Sequence, residues 1–249
     1  MTDSVRPFAP SHPLDRTFFL VFLIIAVVAV AGGFLPRLET IFSGERDWPP
    51  FAVHVHAVLF YGWIAFLGAQ IVLVRSRNMA LHKRMGLFGL GLAAAMVVVG
   101  AWMALTMAEW HWARGAQRAA GFLPVPLTDL VIFTVLIGAA ALLRRDGAAH
   151  KRLILMGTTQ ILGAGFGRMN LYDAPATPFL PALEPMIGLY SELWIILAAA
   201  VIFDVVTRGR PHPVYLIGIP FMLAMQFAAS NLLTWPGWLP FIQGALDLS

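Results

Sequence analysis

The chain has no cysteine at all, which removes disulfides, thiolate metal sites and thiol nucleophiles in one step. Charge is nearly as scarce. Only 12% of the 249 residues are charged, while 59% are apolar; soluble domains hold about 25% charged and roughly 45–50% apolar residues. So little polar surface cannot cover a globule of this size in water. A soluble enzyme, a nucleic-acid binder and a disordered tail are excluded together. The net charge of +4 is too small to advertise an acidic partner. No phosphate loop, nucleophile elbow or His-Glu-x-x-His string is present.

What is present is a set of long apolar runs. A bilayer core takes about 20 such residues per helix, and seven stretches qualify: Thr17–Leu35, Phe51–Val74, Met85–Met107, Leu127–Leu143, Leu153–Arg168, Ala182–Val206 and Pro213–Trp235. The expected fold is all-α, a single polytopic membrane domain of seven spans. The first run is expected to be a retained helix, not a cleaved signal, since sixteen residues precede it and its apolar run exceeds a usual signal core. With the N-terminus inside, twelve of the seventeen Lys and Arg fall on the inner side, which the positive-inside rule favours. Trp48, Trp110, Trp112, Trp235 and Trp238 all fall in outer segments, as interfacial indoles do. The expectation is N-inside, C-outside, with the lipid bilayer as the principal partner and no nucleic acid.

A repeat stands out. Gly68 and Arg75 close the second span, and Leu81-His82-Lys83-Arg84 opens the third. Gly138 and Arg145 close the fourth, and His150-Lys151-Arg152 opens the fifth. Repeat units of about 51–107 and 126–170 with the same topology predict a four-helix bundle of spans two to five with a pseudo-two-fold axis along the membrane normal. The remaining spans, 17–35, 182–206 and 213–235, flank it. His82 and His150 then have two readings. They are positive-inside anchors, or they face one another across the bundle and ligate a haem iron, with neighbouring basic groups on its propionates.

Polar groups also collect in the outer half. His54 and His56 stand about 200° apart on one helix, so they cannot share a face. His54 is in heptad register with Tyr61, Gly68 and Arg75, and His56 with Trp63, Gln70 and Arg77. Asp129, Arg168, Asn170 and Gln226 lie toward the same side. Glu192 enters the sixth span by roughly 13 Å at 1.5 Å per residue, where a carboxylate costs about 2.5–3.5 kcal/mol; Arg168 is its expected counter-ion. One reading makes this a structural ion pair. The other makes it a polar cavity bounded by His54 or His56, Asp129, Arg168 and Glu192, suited to a quinone headgroup, a metal, a small substrate or a proton. Both lysines, Lys83 and Lys151, sit at inner helix starts, so a retinal Schiff base in the last span has no residue to form on.

The string from His56 to Gln70, running on to Arg75, resembles the first core helix of the two-haem b-type transmembrane cytochromes that oxidise ascorbate. Leu81-His82-Lys83-Arg84-Met85-Gly86 is similar to a Leu-His-x-x-x-Gly start in that family. The pattern also resembles bacterial families of predicted membrane proteins, in which a later helix begins with His and ends in Arg, as His150 to Arg168 does. The cytochromes carry a His on all four core helices, whereas the fourth span here has only Asp129. The resemblance therefore implies at most one b-type haem, between His82 and His150, in a multi-pass protein of a bacterial cytoplasmic (inner) membrane. Three functions follow as expectations: haem- or quinone-linked electron transfer, a non-catalytic subunit packed against other membrane subunits, or a small-solute transporter or proton-coupled sensor.

Overall fold

A computed structural model describes residues 8–169 and 183–248. Within them the chain is all-helical: α1 (Asp15–Phe42), α2 (Phe51–Arg75), α3 (Met79–Trp112), α4 (Gln117–Ala120), α5 (Pro124–Leu142), α6 (Gly147–Met169), α7 (Glu184–Arg208), α8 (Pro213–Thr234) and α9 (Trp238–Ala245). Six helical segments are long and apolar enough to cross a membrane: α1, α2, α3, the stretch Gln117–Leu142, α7 and α8. This is an integral membrane protein. A chain in hydrocarbon must satisfy every backbone N–H and C=O internally, which is why each apolar run becomes a helix.

Each apolar run falls on a helix, most of them longer than the run, although α5 and α8 end one residue short of it. The first apolar run ends at Leu35, before Pro36, but α1 continues through Pro36 to Phe42; proline removes one hydrogen bond without always ending a helix. α3 extends a turn and a half upstream of Met85, with Asn78 at its start accepting the Leu81 N–H at 3.2 Å. Arg6, Asn170 and the expected start of the sixth span at Ala182 lie outside the described residues.

α6 is 23 residues long but is not among the six apolar segments. It carries Lys151, Arg152, Thr158, Thr159 and Gln160, which lipid would not solvate. Accordingly it sits in the middle, packed against α1, α5, α7 and α8. Its buried face includes Arg152, Thr158, Thr159 and Gln160. Around it, α2 pairs with α3, α3 with α5, α5 with α8 and α7 with α8. α2 with α3 and α5 with α6 each pack as helical hairpins.

Backbones approach most closely where α1 meets α6. A Cβ on Gly33 would lie 2.3 Å from the Gly165 carbonyl oxygen, and one on Gly165 would lie 2.5 Å from that of Ala29. Inside lipid, small residues at such a crossing supply the packing that a hydrophobic drive supplies in water.

Candidate functional site

Gln160 stands near the middle of α6, and a chain of hydrogen bonds runs through it. Its Nε2 donates to Asp129 Oδ1 on α5 at 2.6 Å. Its Oε1 accepts from Gln226 Nε2 on α8 at 2.8 Å. Gln226 Oε1 in turn accepts from the Trp194 indole on α7 at 2.8 Å. Four helices thus contribute one group each, and every donor points the same way, toward the Asp129 carboxyl. Aligned bonds of this kind polarise one another in a low-dielectric interior. Gln160 and Gln226 are completely buried, so the chain also holds the four helices in one register.

Tyr190 lies one turn from Trp194 on α7, is 2% exposed, and has no hydrogen-bond partner for its hydroxyl. It is close enough to Asp129 to feel its charge. Asp129 and Tyr190 therefore present a carboxyl and an unpartnered hydroxyl to the same interior region. On the α2 side of α6, Thr158 Oγ1 accepts from the Trp63 indole at 3.2 Å. Toward the N-terminal end of α6, buried Leu153, Leu155 and Met156 form an apolar layer between Gln160 and Arg152.

Arg152 belongs to a second, ionic cluster. It is 2% exposed and grips Asp204 of α7 with both Nε, at 2.7 Å, and Nη2, while its Nη1 donates to the Ala148 carbonyl at 2.8 Å. Asp204 also accepts from the backbone N–H of His212 at 3.1 Å. Arg208 reaches Asp15 of α1 at 2.7 and 2.8 Å, and Lys151 reaches the same carboxylate at 2.7 Å. The extended segment ahead of α1 is tied in as well. The Ala9 and Pro10 carbonyls accept from Arg208 and Lys151, and the Phe8 ring packs edge-on to His212. Burial and the Arg152 charge together hold His212 below the ordinary imidazole range. Its ring stays free to accept the Val214 N–H at 3.2 Å and cap α8.

The histidines divide as their helical register requires. His54 is exposed and stacks near Trp48, whereas His56 is half-buried on the face that continues into buried Trp63 and Gln70. His56 Nδ1 is buried without a hydrogen bond and lies within electrostatic reach of Arg168. At the N-terminal end of α6 His150 Nδ1 meets the Ala140 carbonyl of α5 at 2.8 Å. His82 lies within electrostatic reach of His150, and its Nδ1 is buried without a partner. Its backbone carbonyl accepts from Gln70 at 3.4 Å.

Of the expected outer-half group, Asp129 and Gln226 come together, through Gln160. Glu192 and Arg168 do not. Arg168 turns toward α1, its guanidinium 4.7 Å from the Phe34 ring centre and its Nη1 donating to the Ala164 carbonyl. The Gly33–Gly165 crossing one turn below presses this end of α6 onto α1, away from α7. The Glu192 carboxylate has the Ser191 hydroxyl beside it at 3.5 Å.

Sequence reasoning missed several members of these clusters, among them Gln160, Asp204 and Asp15. Gln160 lies beside Thr158 and Thr159 in the shortest of the seven apolar runs, Leu153–Arg168, with no motif to single it out. Asp204 and Asp15 went unweighed, although the four-residue spacing of Asp204 and Arg208 on one helix face was a usable signal. No family model matches the chain, and no curated protein or solved structure matches it.

Proposed function

We propose that the chain is a seven-span protein of a bacterial cytoplasmic membrane, N-terminus inside, with α6 as the seventh, central span. In this reading it binds a proton or a small cationic or polar solute at Asp129 and works as a proton-coupled sensor or solute carrier. The observation that carries the reading is the one-directional chain Trp194–Gln226–Gln160–Asp129, beside the unpartnered Tyr190 hydroxyl. A carboxyl in a membrane span is costly unless it takes a proton or a cation. Among the described residues, Asp129 forms no ion pair and accepts a hydrogen bond from neutral Gln160. Fixed donors aimed at one oxygen leave the other, and Tyr190, for the ligand. The apolar layer of Leu153, Leu155 and Met156 and the ionic cluster beneath it separate this site from the inner side, which suits a gated binding site better than an open pore. Infrared difference spectroscopy across a pH titration of the purified protein tests the reading. A titrating carboxyl band that disappears in Asp129→Asn supports it, and unchanged spectra reject it.

A second reading has its own observation. The buried, unpartnered His82 Nδ1 lies near His150, and these two imidazoles are the residues that would ligate a b-type haem. The Nδ1 contact of His150 with Ala140 leaves its Nε2 as the ligating atom. A bound haem would supply one-electron transfer. A Soret band that shifts on reduction and is lost in His82→Ala supports this reading, and a spectrum without one rejects it.

A further inference from the structure

An apolar groove of about 450 Å³ runs along the outside of the α1–α2 pair. Leu23, Val27, Ala31 and Leu35 of α1 form one wall, and Tyr61 and Ala65 of α2 form much of the other. From Leu23 to Leu38 the groove follows fifteen residues of helix, or roughly 22 Å at 1.5 Å per residue. That is most of the depth of a bilayer core. Its outer end is electrically unlike the rest. Tyr61 is there, its ring edge-on to Phe34 at 6.2 Å, and Arg168 lies over the same Phe34 ring at 4.7 Å. Arg37 follows Phe34 by one turn on α1, which places it at the same end of the groove as Arg168. Behind them His56 offers a buried ring nitrogen with no partner. Arg37, Arg168, Tyr61 and His56 are all able to donate hydrogen bonds. Among the described residues neither arginine is ion-paired. Guanidinium groups at the mouth of a hydrocarbon groove suit the phosphate of an anionic lipid whose chain fills the groove.

We propose that this groove is a binding site for one anionic phospholipid, with an acyl chain along α1 and α2 and its phosphate held between Arg37 and Arg168. A phosphate accepts two-pronged hydrogen bonds from guanidinium, and the neighbouring Tyr61 hydroxyl serves its remaining oxygens or the glycerol ester. The site is separate from Asp129, which faces α6 from the other side of the bundle. Because Arg168 follows directly on the Gly165 crossing, an occupied site also fastens α1 and α2 to the central helix at their outer ends.

The test is the thermal unfolding midpoint of the full chain in neutral detergent, with dioleoylphosphatidylglycerol, dioleoylphosphatidylcholine or inorganic phosphate added separately. The expected result is a rise with phosphatidylglycerol at concentrations where phosphatidylcholine and phosphate give none. That rise is lost in the double variant Arg37→Gln/Arg168→Gln. It is also lost or reduced in Ala31→Phe, which fills the groove and keeps both arginines. A rise that survives the double variant overturns the proposal, as does Ala31→Phe responding like the unaltered chain. An equal rise with inorganic phosphate overturns the lipid as the source of the anion.

Discussion

Removing the Asp204 carboxylate while keeping Arg152 strands a guanidinium that is 2% exposed and has lost its two charge-assisted bonds. Breaking one side of such a buried pair costs about 3–5 kcal/mol. Here Asp204 also serves the His212 N–H and lies 3.5 Å from Arg208, which places Asp204→Ala toward the upper end. At about 2–4 °C per kcal/mol for a chain of this size, the unfolding midpoint in detergent, followed by circular dichroism, is expected to fall by roughly 6–20 °C. Arg152→Met/Asp204→Leu removes both charges and leaves an apolar contact. It is expected to recover at least half of the loss, since replacing a buried pair with apolar residues is often close to neutral. The coupling between the two positions from the full double-mutant cycle is the decisive quantity. Additive losses, or a drop of under about 1 kcal/mol for Asp204→Ala, would refute the claim that this pair locks α6 to α7.

Other expectations are equally direct. Gly165→Leu places a side chain where the Ala29 carbonyl already sits and should cost at least the 1–3 kcal/mol typical of overpacking, about; Gly167→Leu, with open space around it, should be neutral in the same melt. Gln160→Leu leaves the Asp129 carboxyl without its donor and the Gln226 Nε2 without its acceptor and should cost about 1–3 kcal/mol, with increased hydrogen exchange where α5 and α8 flank α6. His212 is held below its ordinary range in the fold, so the unfolded chain binds its proton first as pH falls. Stability should therefore decline on acidification from about pH 6.5 downward. His212→Asn, which keeps a cap for α8, should flatten that decline.

The helices were legible because lipid leaves the backbone few choices, and long apolar runs announce themselves. What the sequence could not reveal was which helix lies in the middle. α6 looks like the weakest span because it carries Thr158, Thr159, Gln160 and a Lys151-Arg152 pair. Those same residues are why it is surrounded by the others. Reading Arg152 as a surface anchor followed from its position beside Lys151; its burial against Asp204 depends on α7 returning to the same end, a contact between residues 52 apart. Arg168 and Glu192 lie at comparable depth along their helices, but depth does not fix azimuth. The glycine crossing turned Arg168 toward α1. The register argument for His54 and His56 fared better because it used only the geometry of a single helix.

The measurement closest to the central claim is the infrared pH titration of the unaltered protein beside Asp129→Asn and Gln160→Leu. Among the titrating carboxyl bands, the account predicts one that vanishes in Asp129→Asn and moves in Gln160→Leu, where the donor at 2.6 Å is gone. Identical difference spectra for all three proteins would contradict it.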